Sequence, residues 1–283
     1  MKQYKDIKED DIRVIGNAET VSFYQKWKVT IICCCLLIAA GIVGFLFFMP
    51  AKEAVSYFEE PEKTVTYKTP DTVSVQTSKG YIEVKEETVN DVPMFIYIPH
   101  EAQATLQLGL PVQTDSTVLF VAQAADIRKD NEDIVSEFVC AGEQLARGTA
   151  KPGFCAIIRD EITIGMAKQT PLLQQAIDQK GYFFRQYALV HNGELIENKP
   201  KNKSIRRALG KQRGKIVMIE SRSPESFHDF SQALIDIGVS DAIYLVGSTA
   251  YGWYRNKDGK QTEFGIFNNA LPATASYIVW KSK

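Results

Sequence analysis

Residues 215–246 read KIVMIESRSPESFHDFSQALIDIGVSDAIYLV. The centre of this stretch predicts a helix over residues 223–237, because Ser223 is a typical N-cap and Pro224 suits the first helical position. The apolar residues of the helix recur every three to four positions, which predicts one face packed on a core: Phe227, Phe230, Leu234 and Ile237. The next residue, Gly238, is a typical helix stop.

Short apolar runs surround this helix and predict strands. The segments 215–220 and 242–246 flank it directly, and residues 156–165 read as a hairpin. Asn192-Gly193 is the residue pair that favours a type I′ turn between two antiparallel strands. Since strands outnumber helices, the predicted fold class is α+β, a mostly antiparallel sheet with few packed helices, over residues 92–283.

One segment near the N-terminus differs from the rest in composition. Residues 29–49, VTIICCCLLIAAGIVGFLFFM, contain no charge over a length that spans a bilayer as a helix. We therefore predict a single transmembrane helix at 29–49, a cytoplasmic tail at 1–28 and a juxtamembrane segment at 50–91. Lys26 and Lys28 favour a cytoplasmic N-terminus by the positive-inside rule, which places the C-terminal domain in the periplasm or outside the cell. The membrane is thus one expected partner.

Charge and cysteine usage narrow the function further. Lys plus Arg number 33 against 34 Asp plus Glu, and such a balanced chain is not expected to bind nucleic acid, which requires a concentrated cationic surface. The three histidines lie too far apart for zinc-ligand spacing, so no metal site is predicted and the cofactor is unknown. Cys140 and Cys155 either pair in an oxidising compartment or remain buried thiols, and spacing alone leaves both open.

Three local motifs follow in order along the second half of the chain. The first, CAGEQ at residues 140–144, is a turn, and KPGF at 151–154 begins a hairpin after it. The second, IRRAL at 205–209, precedes the strand that ends at Glu220. The third is YLVGST at 244–249. Their order and spacing resemble the phosphodiester glycosidase family, which includes uncovering-enzyme-like domains and bacterial exopolysaccharide-associated members.

The resemblance implies an enzyme that hydrolyses a glycosyl phosphodiester and a site made from the motif residues. Cleavage of such a bond requires cationic donors for the phosphate and a carboxylate that supports an oxocarbenium-like transition state. The predicted catalytic residues are Arg206 and Glu220. The predicted substrate-binding residues are Gly142, Glu143, Arg207, Gly247 and Ser248. The expected ligand is a glycan or sugar phosphate.

Two positions depart from the family pattern. Val246 stands where the family has an acidic residue, and Glu143-Gln144 stand where it has aromatic residues. These departures favour an alternative function, a catalytically degenerate module that binds a glycan or phosphate. A third possibility is an accessory protein of a membrane complex. Independently of the family, an Arg doublet is most often a solvated surface pair, and in a strand only one of two adjacent residues faces inward.

Overall fold

The computed structural model describes residues 80–283, which form seventeen strands and two short helices. The helices are α1 (Pro171–Asp178) and α2 (Phe227–Asp236). The strands, in chain order, are β1 (Tyr81–Val89), β2 (Val92–His100), β3 (Ala102–Leu108), β4 (Val118–Gln123), β5 (Phe138–Cys140), β6 (Glu143–Ala146), β7 (Gly153–Ile158), β8 (Glu161–Met166), β9 (Tyr182–Gln186), β10 (Ala188–His191), β11 (Glu194–Leu195), β12 (Arg207–Gln212), β13 (Lys215–Ser221), β14 (Val239–Leu245), β15 (Gly252–Arg255), β16 (Gln261–Phe264) and β17 (Ser276–Ser282).

The predicted fold class, an α+β domain preceded by one transmembrane helix, is wrong as stated. Strand accounts for 49% of the described residues and helix for 9%, so the architecture is nearly all β. Within residues 80–283, no helix is long and apolar enough to cross a membrane. The predicted span at 29–49 and the tail at 1–28 lie outside the described residues. Strand β1 belongs to the segment predicted as juxtamembrane and pairs with β2 along its whole length.

The strands form three sheets. The first has seven strands in the order β1-β2-β13-β12-β14-β10-β11, the second has five in the order β16-β15-β4-β17-β3, and the third has five in the order β6-β5-β9-β7-β8. Every pairing between these described strands is antiparallel. Between β9 and β10, at Tyr187, the chain passes from the third sheet to the first.

The seven-stranded sheet is covered on both faces. Helix α2 packs on one face, and its four predicted core residues Phe227, Phe230, Leu234 and Ile237 are all buried, as the stripe predicted. Residues of the second and third sheets pack on the other face, where Tyr97, Phe120 and Phe184 join one core. A side chain pointing to either face of the central strands is therefore removed from water.

Helix α2 begins three residues later than predicted. Its N-cap is Ser226, whose hydroxyl accepts a hydrogen bond from the Asp229 amide at 3.0 Å. The predicted cap, Ser223, precedes a two-way backbone bridge between Ser204 and Glu225, with N···O distances of 2.8 and 3.1 Å. This long-range bridge holds residue 225 extended, so the helix cannot start until Phe227.

The predicted turns are confirmed. Asn192 and Gly193 both adopt positive φ, at 53° and 78°, and connect β10 to β11. Arg159 and Asp160 do the same between β7 and β8. Both hairpins therefore use the left-handed conformations that a type I′ turn requires.

The two cysteines of the described domain are free thiols, which settles the alternative left open by their spacing. Strand β9 lies between β5, which carries Cys140, and β7, which carries Cys155. Burial raises the pKa of both thiols, so neither is a reactive thiolate at neutral pH.

Candidate functional site

Arg207 and Glu220 form a buried ion pair. They are directly opposite each other on β12 and β13, and the Arg207 Nε donates to Glu220 Oε2. The same guanidinium donates through Nη1 to the carbonyl oxygens of Val246 at 3.2 Å and Ala250 at 2.6 Å, and it stacks 4.6 Å from the centroid of the Phe264 ring. The two side chains are only 3–4% exposed. Arg207 thus joins three segments of the domain from inside.

Arg206 points to the opposite face of the same sheet. Its Nε donates to the Glu225 carbonyl oxygen at 2.8 Å, and its Nη2 donates to the Asn202 carbonyl oxygen. The guanidinium carbon lies 4.1 Å from the centroid of the Phe227 ring at the start of α2. Burial lowers the pKa of Arg206, and the nearby Tyr244 phenol acts against that shift.

The Arg doublet is therefore neither a solvated pair nor a pair with one inward member. Both side chains are buried because the sheet has a covered surface on each side. Arg206 and Glu220, the two predicted catalytic residues, lie on opposite faces of the sheet. Donors of both arginines are directed at protein carbonyl oxygens and at Glu220.

Gly247 and Ser248 pack against the segment that leads into Arg206. The Gly247 amide donates to the Tyr244 hydroxyl at 3.0 Å, and the Ser248 amide donates to the Ile205 carbonyl oxygen at 2.7 Å. A Cβ atom on Gly247 would lie 2.2 Å from that same carbonyl oxygen, so a side chain does not fit there. The third motif thus serves close backbone packing in this chain.

Gly142 and Glu143 belong to a different sheet. Gly142 forms the β5–β6 turn with φ +87°, and its amide donates to the Gly181 carbonyl oxygen at 2.9 Å. Glu143 begins β6 and is exposed. The structure therefore brings Arg207 and Glu220 together with the backbone at Val246, and it places Gly142 and Glu143 beside the turn that follows α1.

Sequence reasoning missed a second buried ion pair, between Asp126 and Lys151. The Lys151 Nζ lies 2.9 Å from Asp126 Oδ2 and 3.2 Å from the centroid of the Tyr187 ring, and both charged side chains are more than nine-tenths buried. The pair joins the segment after β4 to the segment before β7. The sequence signal for this pair is weak, because KPGF predicts only the start of a hairpin and a separation of 25 positions predicts no contact between the two residues.

Tyr244 lies next to this pair. Its ring centroid is 6.5 Å from that of Tyr187, and burial together with the charge of Asp126 raises its pKa to about 12. Arg206 acts in the opposite direction without overcoming burial. The phenol is therefore neutral at physiological pH and serves as a hydrogen-bonding group rather than a base.

An open groove of about 700 Å³ is lined by residues that are hydrogen-bonded to the Asp126–Lys151 pair. Its walls come from the loop at 128–136, the end of β6 with the loop at 147–150, Leu108 and Thr274. The pair is tied to the first wall, because the Val135 amide donates to the Asp126 carbonyl oxygen at 2.8 Å and the Lys151 amide to the Ser136 hydroxyl at 3.2 Å. Among the described residues, no cluster of His, Cys, Asp or Glu is placed to hold a metal ion.

Comparisons with known proteins give a likeness of fold. No protein-family model matches the sequence, and no curated protein matches it. The catalytic domain of zebrafish N-acetylglucosamine-1-phosphodiester alpha-N-acetylglucosaminidase, solved in a form auto-inhibited by its pro-peptide, is similar in structure. The TM-score is 0.52 at 11% identity, and the match covers 78% of this chain and 89% of that one. A hypothetical protein from Synechocystis matches with a TM-score of 0.49 at 9% identity, over 77% of this chain and 72% of that one. The described domain thus has a glycosidase-like fold.

Proposed function

We propose that this domain binds a glycan in the groove and does not hydrolyse it. The observation that carries the proposal is the internal engagement of the predicted catalytic residues. The Arg207 guanidinium donates to Glu220 and to two carbonyl oxygens, and the Arg206 guanidinium donates to two other carbonyl oxygens. All of these acceptors belong to the protein. A phosphate clamp requires guanidinium donors that face the ligand, and these donors face the protein.

The third motif supports the same reading. Val246 replaces the acidic residue of the family pattern, and its contribution here is a backbone oxygen that accepts from Arg207. The Glu220 carboxylate is 3% exposed and bonded to that same arginine. A carboxylate that supports a sugar cation must reach the sugar. Val246 has no carboxylate, and that of Glu220 is buried against Arg207.

The groove supports binding by its size and composition. Its volume lies within the range of sites that hold small ligands, and its lining mixes apolar side chains with hydroxyl, amide and charged groups. Sugars present both apolar ring faces and hydroxyl groups. A groove of this mixed character suits one or a few sugar rings.

Hydrolysis of a glycosyl phosphodiester is the second candidate, and the likeness of fold to the zebrafish enzyme favours it. A hydrolase would need a carboxylate at the substrate. Asp126 is a buried carboxylate whose backbone is hydrogen-bonded to the groove wall, and Glu220 is the one that the motif pattern indicates.

The first prediction separates these functions. The purified full-length chain is expected to bind saccharides in isothermal titration calorimetry and to release no reducing sugar from glycosyl phosphodiesters such as the methyl ester of N-acetylglucosamine 1-phosphate, with or without divalent cations. The Asp126→Asn and Glu220→Gln variants serve as controls, with folding checked by circular dichroism. Release of sugar by the wild type that either variant abolishes would establish the hydrolase and contradict the binding module.

A further inference from the structure

The charged side chains that line the groove differ in whether they have a bonding partner in the protein. Arg128 donates to both carboxylate oxygens of Asp130, at 2.9 and 2.6 Å, and Asp133 accepts from the Asn131 amide at 2.6 Å. The side chain of Arg147, in contrast, forms no ion pair or hydrogen bond with any residue that the structure describes. The groove therefore presents one guanidinium without a carboxylate partner among the described residues, that of Arg147, together with the Asp133 carboxylate, which is bonded to a neutral amide.

Apolar side chains lie on the same groove. Leu145, one residue before β6 ends at Ala146, is 40% exposed, and Leu108 is 37% exposed. Leu145 and Arg147, which directly follows β6, both line the groove. The groove thus offers an apolar contact beside a cationic one.

The walls of the groove are tied together before any ligand arrives. The Glu137 amide donates to the Gly148 carbonyl oxygen at 2.9 Å, which joins the two long walls, and the Thr274 hydroxyl donates to the Glu132 carbonyl oxygen at 2.6 Å. A preformed groove loses little conformational freedom when it binds.

We propose that the ligand is an anionic saccharide, and that Arg147 pairs with its carboxylate or phosphate while Leu145 contacts a sugar ring. A guanidinium is suited to this role because its planar donors match the two oxygens of such a group. The proposal rests on the glycan-binding function above and names the class of glycan.

Calorimetry with the full-length chain tests the proposal. The probes are a galacturonate oligomer, a galactose oligomer of equal length as its neutral counterpart, and the same galactose oligomer bearing a terminal phosphate. At least one anionic probe is expected to bind about tenfold or more tightly than the neutral one. A tenfold difference corresponds to the smallest contribution expected from a hydrogen bond to a charged group. Added salt should reduce that difference, and the phosphate arm shows which anion is preferred.

The variants separate charge from shape. Arg147→Ala should reduce the affinity for the anionic probe to that of the neutral one, and Arg147→Lys should restore part of it. Arg222→Ala is the matched control away from the groove and should leave the affinity unchanged, since Arg222 pairs with Glu86 in an exposed position and does not line the groove. Leu145→Ser should weaken all probes alike.

Each failure has a distinct reading. Equal binding of anionic and neutral probes, or an unchanged affinity in Arg147→Ala, would overturn the proposed role of Arg147 and leave glycan binding standing. Absence of binding to every saccharide would overturn both.

Discussion

Replacing Arg207 with Met is expected to lower the free energy of unfolding by about 3–5 kcal/mol, measured by urea denaturation. The change leaves the Glu220 carboxylate buried without its partner, and an uncompensated buried charge is the costly result of breaking such a pair. It also removes the donors to the Val246 and Ala250 carbonyl oxygens. The matched control is Arg128→Met, which breaks an exposed pair with Asp130 and should cost about 0–1 kcal/mol.

The double variant Arg207→Met with Glu220→Leu tests whether the pair acts as a unit. Replacing a buried ion pair by apolar residues of similar volume is often close to neutral, so the double variant should recover much of the lost stability. A single variant as stable as the wild type, or a double variant worse than the sum of both singles, would show that this pair does not hold the sheet as described.

Lys151→Met is expected to have an effect of similar size, about 3–5 kcal/mol, because Asp126 then remains buried with no cation beside it. Asp126 and Lys151 are also tied to the groove wall, so Asp126→Asn, which keeps the shape and removes the charge, should weaken saccharide binding even where the domain stays folded. Lys281→Met is the control for stability, since Lys281 pairs with Asp115 at 3.7 Å in an exposed position.

Calorimetry and denaturation on the same samples distinguish the two roles of the pair. An Asp126→Asn variant that is stable and binds as tightly as the wild type would show that the pair is unconnected to the groove. A Lys151→Met variant that loses no more stability than Lys281→Met would show that the buried pair does not contribute to the free energy of unfolding.

The sequence predicted the parts of the fold that depend on local patterns. The apolar stripe of α2 predicted which face of the helix is buried. Asn192-Gly193 predicted a turn whose geometry only a few residue types adopt. The start of α2 was misplaced because the bridge between Ser204 and Glu225 depends on residues far apart in the chain. The α+β class was wrong because four-residue strands such as β15 and β16 are too short to show a period in the sequence.

The sequence pattern did not reveal how the predicted site residues are arranged in the fold. Alternation correctly separated Arg206 from Arg207, yet it left one of them in solvent, because a strand pattern does not reveal that both faces of its sheet are covered. The pair of Asp126 and Lys151 arises where segments from two different sheets meet. The spacing of residues within either segment does not predict this contact.

Hydrogen exchange with bound saccharide tests most directly where this domain binds. The full-length chain is saturated with the tightest-binding oligomer and compared with the free chain by mass spectrometry. We predict that protection rises in the groove walls, at residues 128–136 and 145–150, and stays unchanged at residues 205–207 and 246–250. Protection confined to residues 205–207 and 246–250, with none in the groove walls, would contradict this account and return the site to the predicted catalytic motif.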